Sequence, residues 1–280
     1  MESGFASGTE TTPALDADLF AYDDSAPLAL ETTRTEKHGA ATVADVRFAA
    51  PTGRIAAYLV RPAGKGPFAG ALFLHWYEPA SKTSNRTEFL DEAVALAEVG
   101  VVSLLPEQRF PWHRGPSGPD PDREAVVTQV VDLRRALDVL LRQLGVDAER
   151  TAVVGHDYGG MYGALLAAYD RRPSTYVLMA ADAEFPNWFV KYFVRSASTA
   201  EYEQAFAGLE PVEAVAKAAP ASVFFQFGET DTYVPLYVTD ELFEAASDPK
   251  RMELYGGGHE LDAAARRDRA AWLRDRLGLR

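Results

Sequence analysis

The strand-turn-helix stretch around Asp157 is the feature that most constrains how this chain can fold. A β-branched apolar run at 152–154 indicates a buried strand, and apolar residues recur at helical spacing after Gly160. Between them Gly155 and Gly159 bracket Asp157 as G-x-D-x-G. This spacing is typical of a nucleophile elbow, where glycines let strand and helix approach closely and the middle residue points outward. The simpler interpretation is an ordinary turn with an acid at a helix N-terminus, where negative charge is favoured.

Strand-like and helix-like segments alternate along most of the chain. A turn signal, Pro51-Thr-Gly53, separates two strand-like runs and predicts an antiparallel hairpin over 41–48 and 54–60. Apolar runs predict further strands at 69–74, 101–105, 152–154, 176–179, 222–227 and 251–255. Helices are expected at 126–144, 238–246 and 261–277, and another is expected to open at the capping pair Asn85 and Glu88 and end at Glu98. The pattern predicts an α/β fold with a mostly parallel twisted sheet and helices on both faces.

The length of 280 residues fits one large α/β domain, which we expect at 30–280. Residues 1–29 are rich in small and acidic side chains, and we expect a mobile or surface-draped arm there. Its possible anchors are Leu19, Phe20 and Tyr22. Aromatic residues break the strand-helix rhythm at about 184–218 and predict a short helical lid.

Composition narrows the possible partners. The formal net charge of -13 disfavours nucleic-acid binding, which relies on Lys and Arg to neutralise phosphates. The chain has no cysteine, which excludes disulfides and thiolate chemistry. No apolar run approaches the roughly 20 residues of a membrane span. The first residues show no basic segment followed by an apolar core, so we do not expect a signal peptide. A cytoplasmic protein acting on a small molecule is therefore expected, and its oligomeric state stays open.

Three residues able to act together follow three of the predicted strands. Asp157 lies in the elbow, Asp231 lies in the loop Gly228-Glu-Thr-Asp-Thr-Tyr-Val-Pro235, and His259 follows Gly256-Gly-Gly. Parallel strands place such loops at one edge of a sheet, so these residues can meet there. Their order is nucleophile, acid, histidine. Glu229 and Asp182 are rivals of Asp231 for the acid.

These motifs resemble the α/β-hydrolase superfamily from about residue 41 to the C-terminus. The G-x-x-D-x-x-V-P loop and the Gly-Gly-His turn resemble the dienelactone-hydrolase-like branch, whose members cleave esters and lactones with Cys or Ser. The elbow, Gly155-His-Asp-Tyr-Gly-Gly160, instead resembles epoxide hydrolases and haloalkane dehalogenases, in which the aspartate attacks carbon. The resemblance implies Asp157 as nucleophile, His259 as base and Asp231 as the residue that orients it.

The chemistry of a carboxylate favours the second resemblance. Attack of Asp157 on an ester carbonyl would form a high-energy mixed anhydride, whereas attack on a saturated carbon forms an ordinary alkyl ester. His259 would then activate the water that hydrolyses this ester. Backbone N–H groups at Tyr158 and near Trp76 or Tyr77 are expected to form the oxyanion hole. We expect an epoxide substrate first, a halogenated alkane second, and an ester or lactone third.

Other residues could bind the substrate or its leaving group. The lid tyrosines Tyr192 and Tyr202 offer phenolic donors, and Trp76 and Trp188 offer indole N–H groups. Tyr158 follows the aspartate where epoxide hydrolases and haloalkane dehalogenases commonly have Trp, which favours the phenolic donors. His75 is expected to shape the oxyanion loop and contribute to the substrate site.

The remaining features favour an enzyme without a cofactor. His156 is expected to be packed and hydrogen-bonded, pointing away from the nucleophile. The glycines do not form G-x-G-x-x-G and the histidines show no metal-ligand spacing, so neither a nucleotide cofactor nor a metal is expected. Two alternatives stay open. The fold could bind a small molecule without catalysis, or Asp157 could replace a Ser or Cys nucleophile.

Overall fold

The structure is a computed structural model that describes residues 17–78, 80, 85–110, 116–188 and 199–279. Its strands are β1 (Glu31–His38), β2 (Ala41–Ala50), β3 (Gly53–Arg61), β4 (Phe68–Leu74), β5 (Val101–Pro106), β6 (Val146–His156), β7 (Thr175–Met179), β8 (Ser222–Gly228) and β9 (Lys250–Tyr255). Its helices are α1 (Leu90–Ala97), α2 (Pro119–Leu141), α3 (Tyr158–Tyr169), α4 (Phe185–Trp188), α5 (Thr199–Phe206), α6 (Pro211–Val215), α7 (Leu236–Ala245) and α8 (Ala263–Arg276), with a short 3-10 helix at Ala17–Phe20.

The strands form one sheet in the order β1-β2-β3-β5-β4-β6-β7-β8-β9. The first three strands are antiparallel, and β3 also pairs antiparallel with β5. From β5 to β9 all neighbouring strands are parallel. The loops that follow these six strands therefore share one edge of the sheet, where ligands bind in open α/β sheets. The predicted fold class is confirmed.

Helices cover both faces of the sheet, which explains why its central strands are apolar throughout. Along β4, Leu72 and Leu74 pack into the core on the side of α2 and α3, whereas Ala71 and Phe73 face the core that α1 and α8 complete. Every residue of β4, β5, β7 and β8 is buried. Burial of both faces removes the alternation that a half-exposed strand shows.

Helix α2 and strand β6 begin earlier than predicted, and two further differences have a clear physical reason. The edge strand β1 was not predicted, because all eight of its residues are exposed and it carries no apolar alternation. Helix α1 begins at Leu90, since Glu88 lies in the turn before it and Phe89 is its N-cap without a side-chain bond. The predicted capping pair Asn85 and Glu88 is therefore wrong.

The arm and the lid are only partly described. Residues 1–16 and 189–198 lie outside the described residues. Phe20 is fully buried, and the Tyr22 hydroxyl donates to Asp138 on α2 at 3.1 Å. The described part of the lid region consists of α4, α5 and α6. None of the helices in the described ranges combines the length and apolar character that a bilayer crossing requires.

Candidate active site

Asp157 occupies a sharp turn between β6 and α3. Its φ of 57° and ψ of -120° are rare for a residue with a side chain and store local strain. The turn needs glycine on both sides. A Cβ on Gly155 would lie 2.1 Å from the Gly159 carbonyl oxygen, and one on Gly159 would lie 2.1 Å from the carbonyl oxygen of Leu74. The backbone of Asp157 is therefore held in one conformation with its carboxylate above the sheet edge.

The two carboxylate oxygens of Asp157 have different surroundings. Oδ2 accepts the backbone N–H of Tyr77 at 2.9 Å. Oδ1 is buried, accepts no hydrogen bond from any described residue, and lies 4.0 Å from Nε2 of His259. That separation is too long for a direct hydrogen bond and suits a bridging water. One oxygen is thus held by a backbone donor, and the other faces the histidine.

His259 is oriented by Asp231. Its Nδ1 lies 2.8 Å from Oδ2 of Asp231, whose Oδ1 accepts the backbone N–H groups of Tyr233 and Val234 at 2.7 and 3.1 Å. Burial alone would raise the pKa of Asp231, but the bond and charge of His259 and the two N–H groups outweigh it, so its pKa lies below the ordinary value. The ionised Asp231 accepts Nδ1–H and leaves Nε2 of His259 directed at Asp157.

Burial has the opposite net effect on Asp157, which is 3% exposed. Desolvation raises its pKa to about 6, although the charges of His259 and His156 and the Tyr77 N–H act in the other direction. The carboxylate is therefore ionised above about pH 6, and it carries few of the hydrogen bonds that usually stabilise a buried charge. A poorly solvated carboxylate is a stronger nucleophile than one in water.

The loop after β4 supplies the Tyr77 N–H that binds Asp157. The two residues before Tyr77 in this loop, Trp76 and His75, bind other groups. The backbone N–H of Trp76 donates to Oε2 of Glu88 at 2.8 Å, so it is not an oxyanion donor in this arrangement. His75 is 2% exposed, contacts the Trp76 carbonyl oxygen through Nδ1 at 2.7 Å, and accepts the Gln108 N–H at Nε2. Burial lowers the pKa of His75 to about 4. It is a neutral residue that shapes the loop, and its predicted place among substrate-binding residues is corrected.

A cavity of about 390 Å³ has Asp157 and His259 in its wall. Its described lining residues are Trp76, Tyr77, Glu78, Asp157, Trp188, Tyr233, His259 and Glu260. The Trp188 ring stacks on Tyr233, with centroids 5.9 Å apart, and Tyr233 meets the edge of His259 at 5.0 Å. The wall of the cavity is thus largely aromatic, and the carboxylates of Glu78 and Glu260 lie in it beside that of Asp157. Such a cavity suits a small and largely apolar organic molecule.

The predicted lid donors do not all reach this cavity. The Tyr202 hydroxyl donates to Oδ2 of Asp122 at 2.8 Å, and the side chain is buried away from the cavity lining. Its predicted role as a substrate donor is corrected, because a buried carboxylate accepts that hydroxyl. Tyr192 lies outside the described residues. Trp188 lines the cavity together with Asp157 and His259.

Residues that were not predicted as members of the site include Tyr233 and Glu260 in the cavity wall and Glu88 beside it. Tyr233 was passed over, although its position two residues after Asp231 places it in the same loop. Glu88 was assigned to a helix cap, and its partners lie in the loop after β4 and at the end of β6. His156 is packed and hydrogen-bonded, with Nδ1 on Glu88 at 2.5 Å and Nε2 on the His259 carbonyl oxygen at 2.8 Å.

The rival acids have other surroundings. Asp182 accepts the Glu184 N–H and the Asn187 side-chain amide, and neither it nor Glu229 contacts His259 among the described bonds. No group of three or more His, Asp or Glu side chains in the described ranges could hold a metal ion. The arrangement instead joins a carboxylate, an imidazole with a fixed tautomer and a backbone N–H donor around one cavity.

Comparison with known proteins identifies the fold. No protein-family model matches the chain, and no curated protein sequence does. Among solved structures it is similar to an acetyl xylan esterase from Paenibacillus sp. R4, with 17% identity over 93% of this chain and 92% of that one and a TM-score of 0.75. Acetyl xylan esterase 1 from Thermoanaerobacterium sp. JW/SL YS485 has 15% identity over 95% of both chains and a TM-score of 0.73.

A third similar structure, from Klebsiella pneumoniae subsp. pneumoniae MGH 78578, carries a provisional description as a dienelactone hydrolase. Its identity is 16% over 86% of this chain and 99% of that one, with a TM-score of 0.62. Identities this low establish the architecture and leave the reaction to be argued from the site. The chain has the α/β-hydrolase fold.

Proposed function

We propose that this chain is a cofactor-free hydrolase of small organic molecules in which Asp157 is the nucleophile. His259 serves as the general base and Asp231 orients it. The bond broken first joins a saturated carbon to its leaving group, as in an epoxide or, second, a halogenated alkane.

The observation that carries this proposal is that the two carboxylate oxygens of Asp157 have different hydrogen-bond partners. Oδ1 is buried, lies 4.0 Å from Nε2 of His259 and accepts no hydrogen bond from the described residues, so in this proposal its lone pairs are available to a substrate carbon that enters from the cavity lined by Asp157. Oδ2 already lies on the Tyr77 N–H. An ester formed at Oδ1 would therefore have its carbonyl oxygen at a donor that stabilises negative charge.

The reaction then has two halves. Oδ1 attacks the carbon, and the electron pair of the broken bond leaves with the epoxide oxygen or the halide. Water between His259 and Asp157 gives its proton to Nε2 and attacks Cγ, and negative charge develops on Oδ2 beside the Tyr77 N–H. Collapse of this intermediate releases the alcohol, which takes the proton from His259, and leaves Asp157 as the carboxylic acid. Loss of that acid proton, the second one of the water, restores the carboxylate; it replaces the proton that an epoxide oxygen took from its donor or, with a halide, passes to solvent. Asp231 stabilises the imidazolium that forms in between.

The leaving group needs a hydrogen-bond donor, and the cavity walls offer two kinds. Tyr77 and Tyr233 carry phenolic hydroxyls, which suit an epoxide oxygen, while Trp76 and Trp188 carry indole N–H groups, which suit a halide. The backbone N–H of Tyr158, at the first turn of α3, is the second oxyanion donor in this proposal, since the first N–H groups of a helix lack intrahelical acceptors.

A second candidate is an ester or lactone hydrolase, and the comparisons favour this substrate class over an epoxide. Two of the similar structures are described as acetyl xylan esterases, and a third carries the dienelactone hydrolase description. We rank it second because Asp157 would have to form a mixed anhydride, and because Oδ2 already occupies the Tyr77 N–H that a substrate carbonyl would need. A fold that binds a ligand without catalysis is the remaining alternative.

The test is to trap the intermediate. His259→Gln is incubated with epoxides, haloalkanes, aryl esters and lactones, and the intact protein and its peptides are weighed by mass spectrometry. The proposal expects an alkyl adduct on Asp157, and none in His259→Gln combined with Asp157→Asn. Ester turnover that survives Asp157→Ala, with no adduct from any substrate, would reject Asp157 as the nucleophile.

A further inference from the structure

The Asp157 elbow, the loop after β4 and the loop after β9 are joined beneath the cavity by two side chains. Glu88 Oε2 accepts the Trp76 N–H at 2.8 Å, and Oε1 lies 2.5 Å from Nδ1 of His156. His156 Nε2 lies 2.8 Å from the backbone carbonyl oxygen of His259. Glu88 and His156 thus link Trp76, the residue before Tyr77, to the backbone of His259. His156 is itself the residue before Asp157.

The hydrogen-bond partners define how the pair shares its protons. A carbonyl oxygen can only accept, so Nε2 of His156 carries a proton. Nδ1 faces a carboxylate oxygen, and a proton lies between these two atoms. Burial alone would lower the pKa of His156, but the charge and bond of Glu88 outweigh it and hold that pKa above the ordinary value. With a proton on each ring nitrogen, His156 is an imidazolium that faces the carboxylate of Glu88.

The positive charge of His156 is stabilised by an aromatic neighbour, and the negative charge of Glu88 is stabilised by solvent. The Trp76 indole stacks on His156 with centroids 5.2 Å apart and an interplanar angle of 25°, which favours a cationic ring. Glu88 retains 16% of its side-chain exposure and lines a second cavity, of about 320 Å³, whose wall also includes Trp76. Its negative charge is thus partly solvated while His156 stays buried.

The pair acts on the site through neighbouring backbone atoms. With the Trp76 N–H directed to Glu88, the next N–H along the chain, that of Tyr77, is directed to Oδ2 of Asp157. With its carbonyl oxygen bound to His156, His259 cannot move away from the elbow without breaking that bond.

We propose that Glu88 and His156 are a positioning pair that fixes the distances among the Asp157 carboxylate, the Tyr77 N–H and the His259 ring. The inference rests on the proposed function, because it concerns the hydrolytic half of that reaction. Neither residue is among those that line the cavity in front of Asp157, so neither is a catalytic residue. Loss of the pair leaves adduct formation nearly intact and slows the hydrolysis of the adduct, since only hydrolysis needs His259.

Three variants separate the bonds of the pair. Glu88→Gln removes the charge. His156→Asn keeps a bond to Glu88 and loses the one to His259, whereas the longer amide of His156→Gln reaches the His259 carbonyl and loses Glu88. The matched control is Glu92→Gln on α1, which removes a carboxylate paired with Arg269 at 2.7 Å and bonded to none of the residues of the site.

Single-turnover kinetics measure the formation and decay of the adduct. Glu88→Gln and His156→Asn should slow its decay roughly ten- to a hundred-fold, while the rate of formation and the substrate concentration that half-saturates it change little. His156→Gln should decay faster than His156→Asn, and Glu92→Gln should match the wild type. Decay in Glu88→Gln and His156→Asn equal to that in Glu92→Gln would overturn the inference.

A second measurement does not depend on activity. Nitrogen NMR of labelled histidines should show His156 as an imidazolium at neutral pH, and the signal should change to neutral imidazole in Glu88→Gln. A neutral His156 in the wild type would overturn the pair. If the wild type forms no adduct with any substrate while His156 is an imidazolium that depends on Glu88, the proposed reaction fails and the pair stands.

Discussion

Nε2 of His259 lies 4.0 Å from Oδ1 of Asp157, and Nδ1 of the same ring lies 2.8 Å from Asp231. The tautomer that Asp231 selects leaves Nε2 free to accept a proton on the side of the cavity. The gap to Asp157 is wide enough for the water that the second half of the proposed reaction consumes. The geometry therefore suits hydrolysis of an ester on Asp157 better than direct proton transfer between the two residues.

The pH dependence of adduct formation follows from the pKa of Asp157, which burial raises to about 6. Only the ionised carboxylate attacks carbon, so the rate of formation should rise with pH through about 6 and then level off. Below that value it should fall about tenfold per pH unit. Rapid-quench measurements on the wild type test this prediction. A rate that stays constant to pH 4.5 would argue against attack by this carboxylate.

Asp157→Asn should stabilise the folded protein at alkaline pH. The raised pKa means that the folded state binds a proton more tightly than the unfolded chain, so stability falls as pH rises from the ordinary value of 3.8 through about 6. Asn carries no charge to bury, and the variant should gain roughly 1–3 kcal/mol at pH 8 relative to the wild type. Urea unfolding at pH 8 and at pH 4.5 measures the difference, which should shrink at the lower pH.

Asp231→Asn is the control for Asp157→Asn, because it should change the stability of the folded protein at alkaline pH in the opposite direction. The pKa of Asp231 lies below its ordinary value, so its contribution to stability is present above that value and is lost as pH falls through the folded-state pKa. The variant should be less stable than the wild type at pH 8, and the two should converge in acid. Equal behaviour of the two Asn variants would contradict the assigned surroundings of both carboxylates.

Gly159→Ala should disrupt the elbow. Its Cβ would lie 2.1 Å from the carbonyl oxygen of Leu74, so strand or helix must move. We expect a loss of about 2–4 kcal/mol in the free energy of unfolding. Gly256→Ala is the control, because no heavy atom lies within 4 Å of that Cβ. Chemical denaturation compares the two, and similar stabilities would mean that the close approach is absent.

Tyr202→Phe should affect stability without affecting the reaction. The variant leaves the buried Asp122 without the hydroxyl that donates to it at 2.8 Å, at a cost of about 1–3 kcal/mol. KM and kcat should stay near the wild-type values, since Tyr202 does not line the cavity. A large rise in KM with unchanged stability would restore Tyr202 as a substrate donor.

The sequence predicts most of the parallel sheet because its strands are buried on both faces and read as apolar runs. It also predicts that Asp157, Asp231 and His259 follow three such strands, and parallel topology brings them to one edge. The strand β1 could not be predicted in this way. Its residues are exposed on both faces, so pairing with β2 leaves no apolar pattern.

Side-chain partners distant in the sequence are the part that the sequence does not reveal. Glu88 has the spacing of a helix cap, yet its carboxylate bonds with Trp76 and His156. In our proposal the same carboxylate sets which N–H of the loop after β4 faces Asp157, and no local pattern encodes that choice. Tyr202 likewise meets Asp122, which lies 80 positions earlier in the chain.

The covalent role of Asp157 is tested most directly by one turnover in heavy-oxygen water with enzyme in excess over an accepted substrate. If Asp157 attacks carbon and water attacks Cγ, the heavy oxygen enters the peptide that contains Asp157 and the first product is unlabelled. If water attacks the substrate directly, the product carries the label and the peptide stays light. The first result is the one that the structure leads us to expect, and the second would contradict the proposed nucleophile.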